Sequence, residues 1–373
     1  MAEIIGGKYG TGGQVEWAPM RGAAREIIRF NEESFLFETS LRLEKRSGTY
    51  TIEVEEDTHS RAGFRVVREE LKIGWRTIFT SHPGSGDPVS AQDDDAHLLL
   101  RMEKTGEQRK FGARIAVRPD QPALTQIDDF KQVTKAHKEF TDQAIQIFAN
   151  IRFLDLVPDA MRQPAFPGQL VLGDSGENLP TVLQDICADQ ERKSVLIEWV
   201  RELTPMDVSD FDFRSDPITG LIQLIVRETN NQEISAYSVS DGTLRFLAML
   251  AALLGKNPAK VYFFEKIDNG IHPSRLRLLL ELIEKQTSKG GIQVVTTTHS
   301  PDLLAMIGDE TFKNTSVVAR LPGTSESIAR PVADIPKASD LRKSQGLGRL
   351  HASGWLEDAL AFAAASTDDR EEG

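Results

Sequence analysis

The most constraining feature of this sequence is the order of apolar segments after residue 240, where helical and extended patterns alternate. The pattern predicts, in chain order, a helix, a strand, a helix, a strand and a short helix, at residues 241–254, 261–264, 274–286, 292–297 and 301–307. Strands that alternate with helices in this way lie parallel in one sheet, because each helix carries the chain back across the sheet. The sequence therefore predicts an α/β layer architecture for this region.

The region from residue 35 to residue 118 has a different periodicity. Apolar and polar residues alternate there with period two, so that one strand face collects Phe35, Phe37, Leu41 and Leu43. This alternation predicts an antiparallel sheet with turns. After Pro119 the spacing of apolar residues becomes helical, and we expect a helix over 128–149.

The acidic composition limits the choice of partners. The 373 residues include 56 Asp and Glu against 44 Lys and Arg, a formal net charge of -12. Global charge therefore disfavours nucleic acid, although a local basic patch could still bind it. The longest apolar run, 246–254, is too short to span a bilayer. The single cysteine, Cys187, excludes an intramolecular disulfide framework, so we expect a reduced, cytoplasmic protein with no membrane segment.

Ser240, Asp241 and Gly242 stand at the start of the helix expected over 241–254. Ser240 or Asp241 can cap the helix N-terminus, and Gly242 would let a ligand approach the free backbone N–H groups. A helix N-terminus with free amides binds anions. An ordinary capped core helix would have the same residues, so this segment alone leaves both interpretations open.

Two of the expected strands end in residues that could act on a ligand. The strand at 261–264 ends at Glu265, which can hold Mg²⁺ directly or through water, although a solvated strand-end acid is the alternative. The strand at 292–297 leads to His299, whose neutral imidazole can donate to a phosphate or orient water. Because α/β sheets bind ligands at the carboxyl ends of their strands, these positions indicate a site.

In order and spacing, these segments resemble the C-terminal half of an ABC-type nucleotide-binding domain, in particular the AAA-type ATPases of the SMC/RecF/OLD group. Four segments carry the resemblance: Ser240-Asp241-Gly242 as the signature, Phe263-Phe264-Glu265 as the Walker B strand, Asp268-Asn269-Gly270 as the D-loop region, and Thr298-His299-Ser300 as the switch histidine. The match is specific from about residue 170 to 307. It implies a P-loop NTPase fold with the antiparallel sheet N-terminal and a mostly parallel, helix-flanked sheet C-terminal.

The resemblance also implies ligands and roles. Family members bind ATP with Mg²⁺ and form head-to-tail dimers, so Ser240 and Gly242 of one protomer would face the γ-phosphate held by the other. Glu265 would organise Mg²⁺, and His299 would sense the γ-phosphate. Asp268 and Asn269 would form the D-loop.

The sequence departs from this family at two points. The phosphate-binding pattern G-x-x-x-x-G-K-[ST] does not occur, which we interpret as either truncation or a lost phosphate cradle. Family members usually have a second acid directly after the Walker B acid, where it positions or activates the attacking water, but this chain has Lys266. A lysine cannot be that base at neutral pH unless it is strongly desolvated. We expect impaired hydrolysis, with a solvent-facing Lys266 as the alternative.

On this resemblance we expect four parts. Residues 1–120 would be the antiparallel β part of a truncated ATPase domain, and 121–220 a helical lobe or insertion. Residues 221–335 would be the ATPase core with the signature, Walker B and switch histidine, and 336–373 a C-terminal tail. The leading function is ATP binding and hydrolysis, incomplete or impaired in this chain. One alternative is a degenerate, non-enzymatic regulatory or interaction subunit with an unknown protein partner. Another is a DNA-associated repair or defence subunit, which the charge does not support.

Overall fold

The structure is a computed structural model that describes residues 8–9, 15–16, 28, 32–43, 46–60, 63–83, 98–103, 111–131, 133–321, 323 and 327–371. The chain divides into two compact units, Met1–Ile151 and Arg152–Gly373, called here the first and second units. The first unit contains an antiparallel sheet and the second a parallel pair of strands with helices. The expected mixed α/β class, with antiparallel strands first and parallel strands later, is therefore confirmed.

The strands of the first unit are β1 (Lys8–Tyr9), β2 (Val15–Glu16), β3 (Ser34–Leu43), β4 (Arg46–Glu56), β5 (Phe64–Ile73), β6 (Arg76–Pro83), β7 (Leu98–Glu103) and β8 (Phe111–Val117). β1 pairs with β2, and β3 to β8 form a six-stranded antiparallel sheet in sequence order. Two 3₁₀ turns, Ala123–Thr125 and Ile127–Asp129, precede helix α1 (Lys135–Ala149). The connections between β3 and β6 are short, as expected for strands that neighbour each other in sequence.

One face of this sheet forms the core of the first unit. The period-two pattern buries Tyr50, Ile52 and Val54 along β4, where none of them is exposed to solvent. Helix α1 packs on this face, and the Phe148 ring meets Tyr50 edge to face with 5.1 Å between ring centroids. On β3 the face expected from the sequence is the inner one, because Leu41 and Leu43 are buried and Phe35 and Phe37 are partly buried against the same core.

Helix α1 begins seven residues later than the sequence predicts. The side chain of Thr134 accepts a hydrogen bond from the backbone N–H of His137, which caps the helix N-terminus at that point. The predicted start at residue 128 instead lies in the 3₁₀ turn Ile127–Asp129. The apolar spacing runs through both elements, so periodicity alone places the boundary too early.

The helices and strands of the second unit are β9 (Ile151–Leu154, which begins at the boundary), α2 (Pro158–Met161), α3 (Leu179–Cys187), α4 (Gln190–Leu203), β10 (Val208–Ser215), β11 (Ile222–Glu228), β12 (Glu233–Ser235), α5 (Asp241–Leu254), β13 (Val261–Phe264), α6 (Leu276–Ser288), β14 (Gln293–Thr296), α7 (Pro301–Met306), α8 (Asp309–Lys313), β15 (Ser316–Arg320), β16 (Ser327–Pro331), α9 (Ala338–Gln345), α10 (Leu347–Ala352) and α11 (Trp355–Glu371). Short 3₁₀ turns lie at Ala236–Ser238, Pro273–Arg275 and Val332–Asp334. β10, β11 and β12 form an antiparallel sheet, and β15 pairs with β16.

The parallel strands β13 and β14 position the candidate site. They pair in register from Val261 opposite Gln293 to Phe264 opposite Thr296, in a sheet of order β14-β13-β9. Helix α5 supports this sheet from the core, because every residue from Phe246 to Leu253 is buried. The parallel pairing confirms the arrangement that the alternation of helices and strands predicts.

Residues beyond 336 form three helices rather than an extended segment. Leu347, Leu350, Leu356 and Leu360 are buried in the core of the second unit together with α5. Gly348 makes this packing close, because a Cβ there would lie 2.0 Å from the carbonyl oxygen of Pro301 at the start of α7. The C-terminal helices are therefore part of the second unit's fold.

A buried carboxyl group ties the sheet of the first unit to the 3₁₀ turn at Ala123. Glu69 on β5 has no exposed surface, and it accepts hydrogen bonds from the Tyr50 hydroxyl at 2.8 Å, from Leu124 N at 2.9 Å and from Ala123 N. Burial raises the pKa of Glu69 from 4.5 to about 7, although the three donors act in the opposite direction. Glu69 is therefore a buried group whose ionisation makes the stability of the first unit depend on pH.

We predict that Glu69→Gln reduces the pH dependence of unfolding. Between pH 4.5 and about pH 7, Glu69 keeps its proton in the folded chain but loses it in the unfolded chain. The free energy of unfolding of the native protein therefore falls as pH rises through this range, by about 3 kcal/mol in all. Urea denaturation followed by circular dichroism at pH 5 and pH 8 measures this change. Glu56→Gln, an exposed position on the neighbouring strand, is the control and keeps the native slope. An unchanged slope in Glu69→Gln would contradict this assignment.

Candidate functional site

Helix α5 begins at the residues that the sequence analysis identifies as a signature. The Ser240 hydroxyl accepts a hydrogen bond from Thr243 N at 3.2 Å and lies 2.9 Å from the Thr243 hydroxyl, so Ser240 is the N-cap. Asp241 follows as the first helical residue, and both Ser240 and Asp241 are exposed. The N-terminus of a long buried helix thus faces solvent, as the sequence predicts.

The backbone at Gly242 approaches the backbone at Gly270 closely. A Cβ at Gly242 would lie 2.1 Å from the Gly270 carbonyl oxygen, so no other residue fits there without movement. Gly270 has φ of +79°, a conformation that favours glycine, and a Cβ on it would lie 3.0 Å from Gly242 Cα. The Cβ side of Gly242 is therefore filled by the chain's own turn, and this close approach requires glycine at the position.

Strand β13 delivers a carboxylate to the end of the sheet. Tyr262 and Phe264 are buried, and Glu265 directly after them is exposed. The Glu265 N–H donates to the Leu154 carbonyl oxygen at 3.4 Å, which keeps this residue close to the end of β9. The apolar strand thus places Glu265 at the carboxyl end of a parallel strand, where the sequence predicts it.

Lys266 adopts a left-handed backbone conformation, with φ of +48°. Its N–H donates to the Thr297 hydroxyl at 3.0 Å, and its carbonyl oxygen accepts from Asn269 N at 2.9 Å. Such a conformation is unfavourable for residues other than glycine and persists where the surrounding contacts hold it. The lysine side chain is exposed, which agrees with the alternative interpretation that it faces solvent.

A side-chain hydrogen bond joins the turn after β13 to the turn after β14. The Thr298 hydroxyl donates to Asp268 Oδ1 at 2.5 Å and accepts from Ser300 N at 3.0 Å. Ser300 in turn caps helix α7 by accepting from Leu303 N at 3.2 Å. Between these two anchored residues lies His299, which is exposed.

A small open cleft of about 160 Å³ lies at the carboxyl end of β13. Its polar lining residues are Asp155, Arg245, Glu265, Lys266 and Asn269, and its walls include Leu156 and Met249. Two carboxylates and two cations therefore share this cleft. Arg245 extends from α5, where its guanidinium donates to the Leu156 carbonyl oxygen at 3.3 Å.

Most of the residues singled out in the sequence come together in one connected region. The signature touches the D-loop turn through Gly242 and Gly270, and Asp268 is hydrogen-bonded to the residue before His299. Glu265, Lys266 and Asn269 line the cleft, whereas His299 is outside its lining. Sequence reasoning missed four residues that contact or line this region: Asp155, Arg162, Arg245 and Thr297. Arg245 lies four residues after Asp241 on α5, and this helical spacing, which brings the two residues to one face of the helix, is the signal that could have found it.

Within the parts of the chain that the structure describes, no three His, Cys, Asp or Glu side chains gather closely enough to hold a metal ion. Protein side chains among these residues therefore do not form a self-sufficient metal centre. A Mg²⁺ ion at Glu265 would need further oxygen ligands from water or phosphate.

Comparison with known proteins gives a family match over most of the chain. The family model described as "AAA domain, putative AbiEii toxin, Type IV TA system" matches residues 26–305. An ATP/GTP phosphatase of Helicobacter pylori is 31% identical over 99 residues, which are 23% of this chain and 26% of that protein. The chain thus spans about a quarter of that relative.

Solved structures with similarity to this chain include heads of SMC proteins. An SMC head domain from Pyrococcus furiosus, bound to the C-terminal domain of ScpA, is 12% identical with a TM-score of 0.32, over 80% of each chain. The SMC head domain from Thermotoga maritima is 9% identical with a TM-score of 0.28, over 77% of this chain and 74% of that one. Among the helices that the structure describes, none has the length and apolar character needed to cross a bilayer.

We predict that Gly242→Ala destabilises the second unit by about 1–3 kcal/mol, because the new methyl group must displace the Gly270 carbonyl. Urea denaturation followed by tryptophan fluorescence measures the loss. The matched control is Gly308→Ala, where the nearest atom to a new Cβ is a Glu284 carboxylate oxygen at 4.0 Å. Gly308 is the N-cap of α8, where alanine is less favourable than glycine, so this control is expected to cost less than about 1 kcal/mol. Equal effects of the two substitutions would show that the close approach at Gly242 is not a constraint.

Proposed function

The chain belongs to the AAA domain family that matches residues 26–305, and on that premise we propose that it is an ATP-binding, ABC-like subunit with impaired hydrolysis. Membership of this family makes the chain an ATPase-family protein. What we propose beyond that is how the residues at the carboxyl end of β13 act on a nucleotide.

The observation that supports this proposal best is the physical connection between four separate sequence segments. The signature turn packs on the D-loop turn at Gly242 and Gly270, and the D-loop turn is hydrogen-bonded to the switch turn through Asp268 and Thr298. Glu265 begins the same D-loop turn. A helix N-terminus, a carboxylate and a histidine on adjoining turns are the groups that bind phosphate and its metal ion.

We assign the roles within this region as follows. The Ser240 hydroxyl and the free N–H groups around Gly242 would face the γ-phosphate of a nucleotide held by a second copy. His299 would sense the γ-phosphate, and it lies exposed between Thr298 and Ser300, which hydrogen bonds hold in place. Asp268 and Asn269 would hold the D-loop between the two sets of contacts.

Mg²⁺ fits the donor set at Glu265 only together with phosphate. Phosphate-bound Mg²⁺ is commonly held by one or two carboxylates, with phosphate oxygens and water as the remaining ligands. The exposed Glu265 and the Asp155 carboxylate in the same cleft match that requirement. When bound, the ion neutralises charge on the phosphates. The contribution of the chain is to hold carboxylate oxygens at the end of β13.

Lys266 supports the view that hydrolysis is slow. Lys266 is one of the residues that line the cleft, and its exposed side chain carries a positive charge where family members usually carry an acid. A protonated amine cannot accept a proton from the attacking water, so general-base assistance from this position is lost. A nucleotide bound here would therefore leave largely unhydrolysed, and the protein would act through binding rather than through turnover.

The same residue supports a second candidate function, in which the chain is a non-enzymatic regulatory or interaction subunit. In that case the Gly242–Gly270 contact and the Asp268–Thr298 hydrogen bond serve to hold a binding surface. For either function we propose a cytoplasmic location, because the chain has a single cysteine. That residue, Cys187, is partly buried, which keeps it from reacting easily.

We predict that this chain binds Mg-ATP only weakly. Phosphate cradles supply a row of backbone amides and a lysine for the β- and γ-phosphates, and the sequence has no such glycine-lysine pattern. Isothermal titration calorimetry is expected to detect no submicromolar site. A submicromolar affinity would mean that another segment supplies the cradle.

We predict that Lys266→Glu raises kcat for ATP hydrolysis, measured at millimolar Mg-ATP. A positioned general base commonly contributes about 10²–10⁴-fold, so an increase of at least tenfold is expected. Lys266→Gln removes the charge without adding a base and should change kcat little. Lys256→Glu makes the same charge change on an exposed loop after α5 and serves as the matched control. If Lys266→Glu is no faster than Lys256→Glu, Lys266 does not occupy the position of the base.

A further inference from the structure

The signature turn is braced by an arginine from a different element. Arg162 directly follows helix α2, and its side chain is only 16% exposed. Its Nη2 donates to the Val239 carbonyl oxygen at 3.1 Å and to Asp241 Oδ1 at 2.6 Å, while its Nη1 donates to Asp159 Oδ1 at 2.9 Å. One guanidinium thus binds the backbone of Val239, directly before the N-cap, and the side chain of Asp241, directly after it.

The neighbouring residue adds a second contact to the same segment. The Tyr237 hydroxyl donates to Gln163 Oε1 at 3.3 Å, and Gln163 Nε2 donates to the Asp159 carbonyl oxygen at 3.3 Å. The residues at the end of α2 therefore contact three alternate positions, 237, 239 and 241, which lie in the signature or just before it. This brace reaches the segment from 79 residues away in sequence.

The position of Asp241 explains why a brace of this kind is needed. Asp241 is the first helical residue, directly after the N-cap Ser240 and directly before Gly242 in sequence, and its carboxylate contacts Arg162. An uncompensated negative charge there would repel a phosphate that approaches the helix N-terminus. The charged groups that act on Asp241 are Arg162 from α2 and Arg245 from α5, with Asp159 on the far side of Arg162.

We propose that Arg162 is a positioning residue of the nucleotide site, which fixes the signature turn and offsets the Asp241 charge so that the helix N-terminus accepts phosphate. This inference rests on the proposed function, because the phosphate is that of the nucleotide described above. Lysine would not replace arginine here. A single ammonium cannot reach a carbonyl and two carboxylates in the fixed fork geometry of a guanidinium.

The first test measures the charge relation without any nucleotide. Carboxyl ¹³C NMR of the full chain gives the pKa of Asp241, which Arg162 lowers in the native protein. We expect Arg162→Gln to bring this pKa back toward its ordinary value and Arg162→Lys to give an intermediate result. Asp216, whose pKa is lowered by contacts within its own turn, is the internal control and keeps its value. An Asp241 pKa that does not change in Arg162→Gln would overturn the proposal.

The second test asks whether that charge relation matters for phosphate. Occupancy by Mg-ATP at a fixed sub-saturating concentration is followed by the Gly242 amide signal of the full chain, at a protein concentration high enough for a second copy to present the nucleotide. We expect Arg162→Gln to reduce occupancy about tenfold, Asp241→Asn to bind at least as well as the native chain, and the double variant to recover most of the loss. If the double variant is as weak as Arg162→Gln, the proposed charge offset is wrong.

The two tests separate this inference from the function it rests on. If neither the native chain nor any variant responds to Mg-ATP, the proposed nucleotide function fails, and the Asp241 pKa still decides whether Arg162 offsets its charge. Thermal unfolding of each variant by circular dichroism identifies a general loss of structure. A variant that melts like the native chain and still loses occupancy supports the specific role.

Discussion

The close approach of two glycine backbones, at Gly242 and Gly270, is the constraint on which the rest of the site depends. It brings the start of the most buried helix against the turn that follows the central parallel strand. A Cβ on Gly242 would lie 2.1 Å from the Gly270 carbonyl oxygen, and a Cβ on Gly270 would lie 3.0 Å from Gly242 Cα. A side chain at either position would therefore push the two elements apart. The helix N-terminus and the strand-end carboxylate of Glu265 therefore belong to one surface because of this contact.

The hydrogen bonds around this contact extend it to the neighbouring turns. Asp268 holds Thr298, and Thr297 holds the backbone of Lys266 in its left-handed conformation. The first of these bonds is charge-assisted, because its acceptor is a carboxylate, and such bonds are stronger than neutral ones. The start of α5, the end of β13 and the turn before α7 are thus joined by direct contacts, and His299 lies in the last of these turns.

Much of this arrangement can be predicted from the sequence, and the remainder fails for identifiable reasons. The bounds of α5 and β13 agree with the prediction because a long apolar helix and a short apolar strand are each closed by polar residues. Strand β10 was missed because a register shift between Val208 and Asp210 breaks its alternation. Strand β6 was also missed, since its core residues Ile78 and Phe79 are adjacent rather than alternate. The types and order of the site residues were predicted, whereas Arg162 was not, because its partner lies 79 residues away and only the tertiary fold brings them together.

The measurement that tests the account most directly is a map of amide chemical-shift changes in the full, isotopically labelled chain as Mg-ATP is added. Such maps detect weak binding, which is the regime expected here. The account predicts saturable changes that cluster at Lys266, Asp268 and His299, joined by Gly242 and Thr243 when the protein concentration lets a second copy associate. Saturable changes confined to other surfaces, such as the groove between α1 and β3 lined by Arg42 and Lys138, would contradict it.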